Sequence, residues 1–406
     1  LSTAAFAQTN VTIYGVADVS GQGYSQSTSK STNTNQSGNV FALTNNSSLI
    51  GFKGTEDLGN GLQALFQAET TLNLLGTDDG ATSGGNTGVA AQNQHGVFSA
   101  LRDSYVGLNS KYGTGMAGYL STPYRASLNS FDVMPGATGS GKIEQIMGTM
   151  RFTTASDGQA ATTGSTAFAS SIRATAIAYA LPTMYGFNGS IAYTGSNNNG
   201  NNNSSSISST CSSSLSSCTA TPQSVFGFNL GWTGYGVNVQ GAFQQANNNF
   251  AAGTGTANAS QIGDYTSYLV GAAYTGIAGL KLSAVYNRNT LGTNGTVLPL
   301  SQGAGKLTNN QLYTGASYRV GNWEPRASAT WSSDVNGMAS GQQLGARQWT
   351  ANLGYYLSKR TQVYGLVSNL NNSANQNYTF GQQSANLKST NGQNNFTYGL
   401  GLRTNF

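Results

Sequence analysis

Segments of about ten residues in which apolar and polar side chains alternate recur from one end of this chain to the other, separated in turn by short Gly-rich connections and long polar ones. Successive side chains on a strand point to opposite faces, so each such segment reads as a strand with one apolar face. The last of them, NFTYGLGLRTNF (Asn395 to Phe406), shows the pattern plainly. Phe396, Tyr398, Leu400, Leu402 and Phe406 fall on one face, while Thr397, Gly399, Gly401, Arg403 and Asn405 fall on the other. A soluble strand of this kind buries its apolar face on a second layer of protein. Either the remaining residues supply that layer, or lipid does.

Composition decides between them. Only 8% of the 406 residues are charged, against roughly a quarter in typical globular proteins. Hydrophobic residues reach only 38%, and no run approaches the roughly 20 apolar residues a spanning helix needs. The chain is filled instead with strand and turn formers: Gly (54), Tyr (21), Phe (16), Asn, Ser and Thr, with six Pro.

Sixteen alternating segments can be placed. They include Val11–Ser20, Ser47–Gly54, Leu62–Leu72, Val97–Leu108 and a strand from Met116, then Ile172–Leu181 and Phe187–Gly195 after a long insertion. Ser224–Gly234 and Val237–Gln245 follow, then Tyr265–Gly276 and Leu280–Asn289, two further pairs, and the closing strand near Asn395. An even strand number, alternating short and long connections and aromatics at strand ends are the marks of a bacterial transmembrane β-barrel. A soluble β-sandwich also alternates but does not account for the scarce charge, and a β-solenoid would repeat at a fixed period, which is not seen. The expected fold is all-β: a 16-stranded antiparallel transmembrane β-barrel with long extracellular loops and short periplasmic turns, a single domain over residues 8–406. In LSTAAFAQ, Ala5 and Ala7 precede Gln8 as small residues precede a secretory cleavage site, so residues 1–7 read as a signal-peptide remnant, with a disordered extension as the alternative.

Two stretches carry a family resemblance. SSLIGFKGTEDLGNGLQALFQAE (Ser47 to Glu69) and RDSYVGLNSKYGTG (Arg102 to Gly115) resemble the early strands of general trimeric porins of Gram-negative outer membranes, most closely the betaproteobacterial group. The opening QTNVTIYGVADV and the closing YGLGLRTNF are similar to the ends of those mature chains. This resemblance implies an outer-membrane channel for passive diffusion of small hydrophilic solutes and ions. It also implies a homotrimer and a third extracellular loop, here residues 122–171, folded into the lumen. Loop carboxylates facing wall guanidinium groups would set a transverse field there. The residues expected at the constriction are Arg102, Arg173, Arg125, Arg151, Asp132 and Glu144, with Tyr119 and Tyr124 as aromatics that could guide sugars in a substrate-specific variant of the channel. Phe406 resembles the terminal aromatic that the outer-membrane assembly machinery reads. Lipopolysaccharide is an expected partner.

The chain departs from the family where arginines are usual, at Leu49, Tyr119 and Ala178. Selectivity is therefore expected to be weak, and slightly anionic given a net charge of +5. Cys211 and Cys218 share a polar stretch between two strands and would form a disulfide in an oxidising compartment, with two free thiols as the alternative. Their spacing fits no usual zinc pattern, and the single histidine, His95, lies far away in sequence, so neither metal nor cofactor is expected. Asp78, Asp79, Glu56 and Asp57 read as solvated charge or as a divalent-cation bridge to lipopolysaccharide. One His cannot be tied to a particular Ser and Asp, so no catalytic arrangement is visible and an enzyme is not expected. Lys and Arg are scattered along the chain and form no nucleic-acid-binding patch. The third reading is a barrel that merely anchors adhesive loops.

Overall fold

A computed structural model describes residues 10–30, 38–75, 97–137, 139–153, 165–195, 224–250, 261–292, 305–338, 343–380 and 391–406. Residues 1–7, Asp78, Asp79, His95, Cys211 and Cys218 lie outside these. Twenty strand segments run in chain order: β1 (Asn10–Gln26), β2 (Gly38–Asn45), β3 (Leu49–Gly59), β4 (Leu62–Leu72), β5 (Phe98–Leu101), β6 (Ser104–Ser110) and β7 (Gly113–Ser121) come first. A short helix α1 (Pro123–Ser130) and a hairpin of β8 (Thr149–Thr153) and β9 (Ser165–Ala169) occupy the next connection. There follow β10 (Arg173–Ala180), β11 (Phe187–Thr194), β12 (Ser224–Gly234), β13 (Val237–Phe250), β14 (Gln261–Tyr274) and β15 (Leu280–Gly292). The last are β16 (Lys306–Tyr318), β17 (Trp323–Ser332), β18 (Ala346–Tyr356), β19 (Thr361–Asn372) and β20 (Asn394–Asn405).

Without the β8–β9 hairpin these segments form one closed antiparallel barrel of sixteen wall strands. Two wall strands are interrupted. β2 and β3 are halves of one, broken at Asn46–Ser48 where Ser47 takes a φ of 60°. β5 and β6 are halves of another, broken at Arg102 and Asp103. Closure falls between the two ends of the chain: Val16 to Gln26 of β1 pair with Asn405 to Asn395 of β20, and the lower half of β1 pairs with β3. The Phe406 and Gly15 backbones exchange hydrogen bonds at 2.9 and 3.0 Å. A Cβ on Gly15 would come within 2.3 Å of the Phe406 ring, so glycine is what lets that ring lie across β1.

The two faces of each strand are inverted relative to a soluble protein. On β20, Leu400 is 76% exposed and Tyr398 60%, while Thr397 is fully buried. Large apolar side chains face outward and polar ones inward, as lipid outside and a polar interior require. No helix among the described residues is long and apolar enough to cross a membrane; the strands satisfy their backbone groups around a closed cylinder instead. Exposed aromatics gather near the short turns (Tyr112, Tyr185, Tyr235, Trp323) and again toward the opposite end (Phe41, Tyr193, Trp331, Trp349), giving two girdles.

Sequence reading placed a polar loop before Ser47, yet β2 extends that wall strand back to Gly38. Residues 38–45 pair with β1 in strict register, because Val40, Ala42 and Thr44 continue the inward parity and Phe41 and Leu43 the outward one. The connection after β7, expected as a long loop, begins with α1. Thr122 caps that helix by accepting from the Arg125 N–H, and Pro123 fills the first turn where its missing N–H costs nothing.

Candidate functional site

The connection from β7 to β10 turns into the barrel and packs on the inner wall. Tyr124, Leu128 and Phe131 of the α1 region join Ile143 and Met147 in a buried cluster with Leu269, Val285 and Tyr313 of the wall. Gly271 makes room for this, since a Cβ there would meet the Phe131 ring at 2.5 Å. Polar groups fix the register of the docked loop. Lys281 Nζ donates to the carbonyls of Ser130 and Asp132 (2.9 and 2.7 Å), and Ser283 Oγ to that of Phe131 (2.7 Å). Gln311 donates to the carbonyls of Ile146 and Thr149 and accepts from the Gly148 N–H. A second inward connection, after β19, locks the first from above. Tyr378 and Phe380 are fully buried beside Tyr24 and Ile146, Tyr378 OH donates to Thr149 O (2.8 Å), and Gln145 Nε2 donates to Thr379 O.

These contacts fill one side of the lumen; the charged groups at the root of the loop lie on the other, by β4, β6, β7 and β10. Three arginine–carboxylate pairs meet there. Arg102 faces Glu69 (3.7 Å), Arg173 faces Asp103 (3.3 Å), and Arg125 of α1 faces Glu144 (2.5 Å). Arg102 lies within electrostatic reach of both Arg173 and Arg125. Asp103 also accepts from the Ser121 N–H and hydroxyl, tying β6 to the root of the loop. Burial would raise the Glu144 pKa, but Arg125, Lys142 and hydrogen bonds from Ser171 and Asn129 outweigh it and hold the carboxyl below its usual range. Lys142, two residues earlier, makes no ion pair among the described residues. Burial lowers its pKa, and its charge is felt by Glu144, Arg125 and Arg102.

The expected site residues divide accordingly. Arg102, Arg173, Arg125 and Glu144 come together at the open side. Arg151 sits higher, its guanidinium 5.6 Å from the centre of the Tyr378 ring. Tyr124 is corrected: it is fully buried and donates to Asn287 Oδ1 (2.7 Å), serving the loop's attachment rather than the path. Asp132 is likewise no pore-facing carboxylate. Its oxygens accept from the Met134 and Ile143 N–H groups (2.8 and 2.7 Å) and so staple the two arms of the loop, and burial pushes its pKa up to about 6. Tyr119 is on the wrong face. It pairs in register with Thr175, whose parity is that of outward-facing Ile177 and Tyr179. Leu49 and Ala178 do face inward, level with Thr71 and Met116, so these two missing arginines are absent from the lumenal wall. Glu69 and Asp103 were overlooked as partners. Their signal was present, because Glu69 shares inward parity with Gln67 and Thr71, and Asp103 directly follows Arg102.

A closed barrel, apolar outside, with an internal loop leaving a charged aperture, is the architecture of an outer-membrane channel protein. The chain belongs to the Gram-negative porin family, which it matches over residues 1–376, and it is a transmembrane β-barrel of the outer membrane. The major outer membrane protein P.IB of Neisseria gonorrhoeae is 29% identical over 153 residues, covering 38% of this chain and 34% of that protein. The match thus spans about a third of that relative's length. Among solved structures, the anion-selective porin from Comamonas acidovorans aligns at a TM-score of 0.66 with 20% identity, covering 98% of this chain and 100% of that one. The in-vitro folded OmpT of Vibrio cholerae, in a trimer form, aligns at 0.55 with 15% identity, covering 98% and 99%.

Proposed function

We propose that this protein is a passive channel for small hydrophilic solutes and ions, weakly anion-selective, acting as a conduit rather than as an enzyme and needing no cofactor. The observation that carries this reading is the charge balance at the aperture. Arg102, Arg173 and Arg125 are each matched by a carboxylate, which leaves Lys142 and, lower on the wall, Lys53 without an ion-pair partner among the described residues. Two of these ion pairs lie on the wall and one on the loop, so the aperture offers a dipolar solute largely neutralised charge without binding it tightly, which is what passive conduction needs. These unmatched cations then give a mild preference for anions. The similarity to a porin described as anion-selective agrees with that sign.

Assembly as a homotrimer is part of the same reading. An outward groove of about 790 Å³ is lined by Gly21, Gly23, Phe41, Val367, Tyr398 and Leu400, and its small residues would let a neighbouring barrel approach closely. Phe406 is assigned to recognition by the assembly machinery, and lipopolysaccharide to the outer leaflet around the barrel. The measurement that tests the channel is a planar-bilayer recording of purified protein in a salt gradient. Conductance with a small reversal potential of anionic sign supports it; a strong cation preference defeats the selectivity, and absence of any channel defeats the whole reading in favour of a barrel that anchors loops.

A further inference from the structure

Inward-facing aromatic rings are numerous in this barrel, but Tyr24, Tyr124, Tyr265, Tyr313 and Tyr378 are all buried beneath the inward loops. Tyr14 and Tyr105 are different: they are half-buried on the open wall, just below the arginine pairs. The strand register sets them in one patch. Gly51 lies opposite both Tyr14 and Glu69, and Gln67 opposite both Lys53 and Tyr105, and residues so paired have Cβ atoms about 5 Å apart. A Cβ on Gly51 would come within 2.4 Å of Tyr14 Cζ, so the ring rests against bare backbone there. Its hydroxyl donates to Glu69 Oε1 (2.7 Å), Gln67 Nε2 donates to the same oxygen (3.1 Å), and Tyr105 OH donates to Gln67 Oε1 (3.3 Å). Both rings are therefore pinned by their polar ends. Lys53 is exposed, has its Nζ 5.1 Å from the centre of the Tyr14 ring, and makes no ion pair among the described residues.

We propose that Tyr14, Lys53, Gln67, Glu69 and Tyr105 form a solute subsite for a six-carbon sugar acid, a pyranose ring bearing one carboxylate. The proposal rests on the reading of this barrel as an open channel. The electron-rich faces of held aromatic rings complement the C–H face of a pyranose. Glu69 and Gln67 offer acceptors and a donor to ring hydroxyls at fixed spacing, and the partial burial of these groups makes a solute lacking hydroxyls a poor match. Glu69 is already neutralised by Arg102, so the carboxylate of the solute meets Lys53 without a net repelling charge beside it. Rings preorganised by their own hydrogen bonds lose little freedom on contact.

The test is ion-current block of the purified full-length protein in planar bilayers, with glucuronate, glucose or acetate added at constant KCl. Saturable block is expected at the lowest concentration for glucuronate, then glucose, with acetate weakest. Tyr105→Ala should raise the half-blocking concentration of glucuronate about tenfold, the loss of one ring contact, while Tyr105→Phe, which keeps the ring, stays near wild type. Lys53→Met should bring glucuronate to the level of glucose. Where Tyr105→Ala does not assemble, Lys53→Met and Tyr105→Phe carry the test. Equal block by acetate and glucuronate, unchanged block in Lys53→Met or Tyr105→Ala, or channels with no block at all would overturn the subsite while leaving the channel standing. No channels in the wild type would instead sink the channel reading on which the subsite depends.

Discussion

Two loop residues show how the same environment assigns opposite tasks to a cation and an acid. Lys142 stands among paired charges without a partner, so its removal should act on ions rather than on structure. In Lys142→Gln the reversal potential in a salt gradient should move toward zero, a change of roughly twofold in anion-over-cation permeability for one partly screened charge; an unaltered potential would assign the selectivity elsewhere. Asp132 is the converse, a carboxylate whose work is to hold two backbone N–H groups. Burial raises its pKa to about 6, against accepted bonds and Lys281 that lower it. The groups packed on it are the Tyr313 hydroxyl, Lys281 and, through space, Glu144. A docked-state pKa above the free value means that docking takes up a proton. The docked loop is thus favoured most below about pH 4, and that advantage is lost as the pH rises through 6. Fluctuation of open-channel current should accordingly increase between pH 4 and 7 in the wild type, and Asp132→Asn, neutral throughout, should flatten that dependence.

At the scale of elements, the loop is held by the wall more than by itself. Gln311 touches Ile146, Gly148 and Thr149 of the loop and also accepts from Asn287 and Asn289, in a ladder of fully buried amides. Gln311→Leu has nearly the same volume but leaves the Gly148 N–H without its acceptor, at about 1–3 kcal/mol, and takes one of two donors from each of the Ile146 and Thr149 carbonyls. Loosening of residues 143–150 is expected, read as larger mean conductance and faster cleavage of the loop by added protease, with the barrel's thermal unfolding little changed. Unchanged conductance and cleavage would mean that the apolar cluster alone docks the loop. The wall strands themselves were legible in the sequence, because period-two alternation with an apolar outward face survives in Phe226, Phe228 and Leu230 or in Tyr398, Leu400 and Leu402. The loop was legible only as a length. Its helix had a local signal in Thr122-Pro123, but the fate of Tyr124 and Asp132 did not. Both turn toward a wall more than 140 residues away in sequence, and nothing local distinguishes an aromatic that lines a path from one that anchors a loop. Tyr119 differs for another reason: it was expected there from the resemblance alone, and the unbroken register with β10 sets it opposite Thr175 on the outward face.

For the whole molecule, the decisive step is closure of the cylinder, and its seam is chemically marked. Asp18 and Arg403 are register partners on β1 and β20, and their side chains meet at 2.9 Å inside the barrel. The alternation sets Arg403 on the polar face of the closing strand, and that face is the inward one. The structure sets it in a nearly closed site. Tyr364 OH and Asn46 Nδ2 donate to the same Asp18 carboxylate, and Gly136 of the inward loop lies against the guanidinium, where a Cβ would come within 2.4 Å of Arg403. One ion pair thus joins the first strand, the last strand, the kink at Asn46 and the loop of the constriction. Removing one partner strands the other charge in a buried place, which costs about 3–5 kcal/mol, whereas exchanging both for apolar groups is often near neutral. Arg403→Ala should therefore lower the temperature at which the barrel unfolds in detergent and make the channel noisier, because the loop loses its contact at Gly136. Asp18→Asn combined with Arg403→Gln keeps the hydrogen bonds without charge and should recover much of the loss. If the single variant unfolds at the wild-type temperature, closure rests on the backbone ladder from Val16 to Gln26 alone. If the double variant is no better than the single, the charges themselves, rather than the hydrogen bonds they share with Tyr364 and Asn46, hold the seam to the loop.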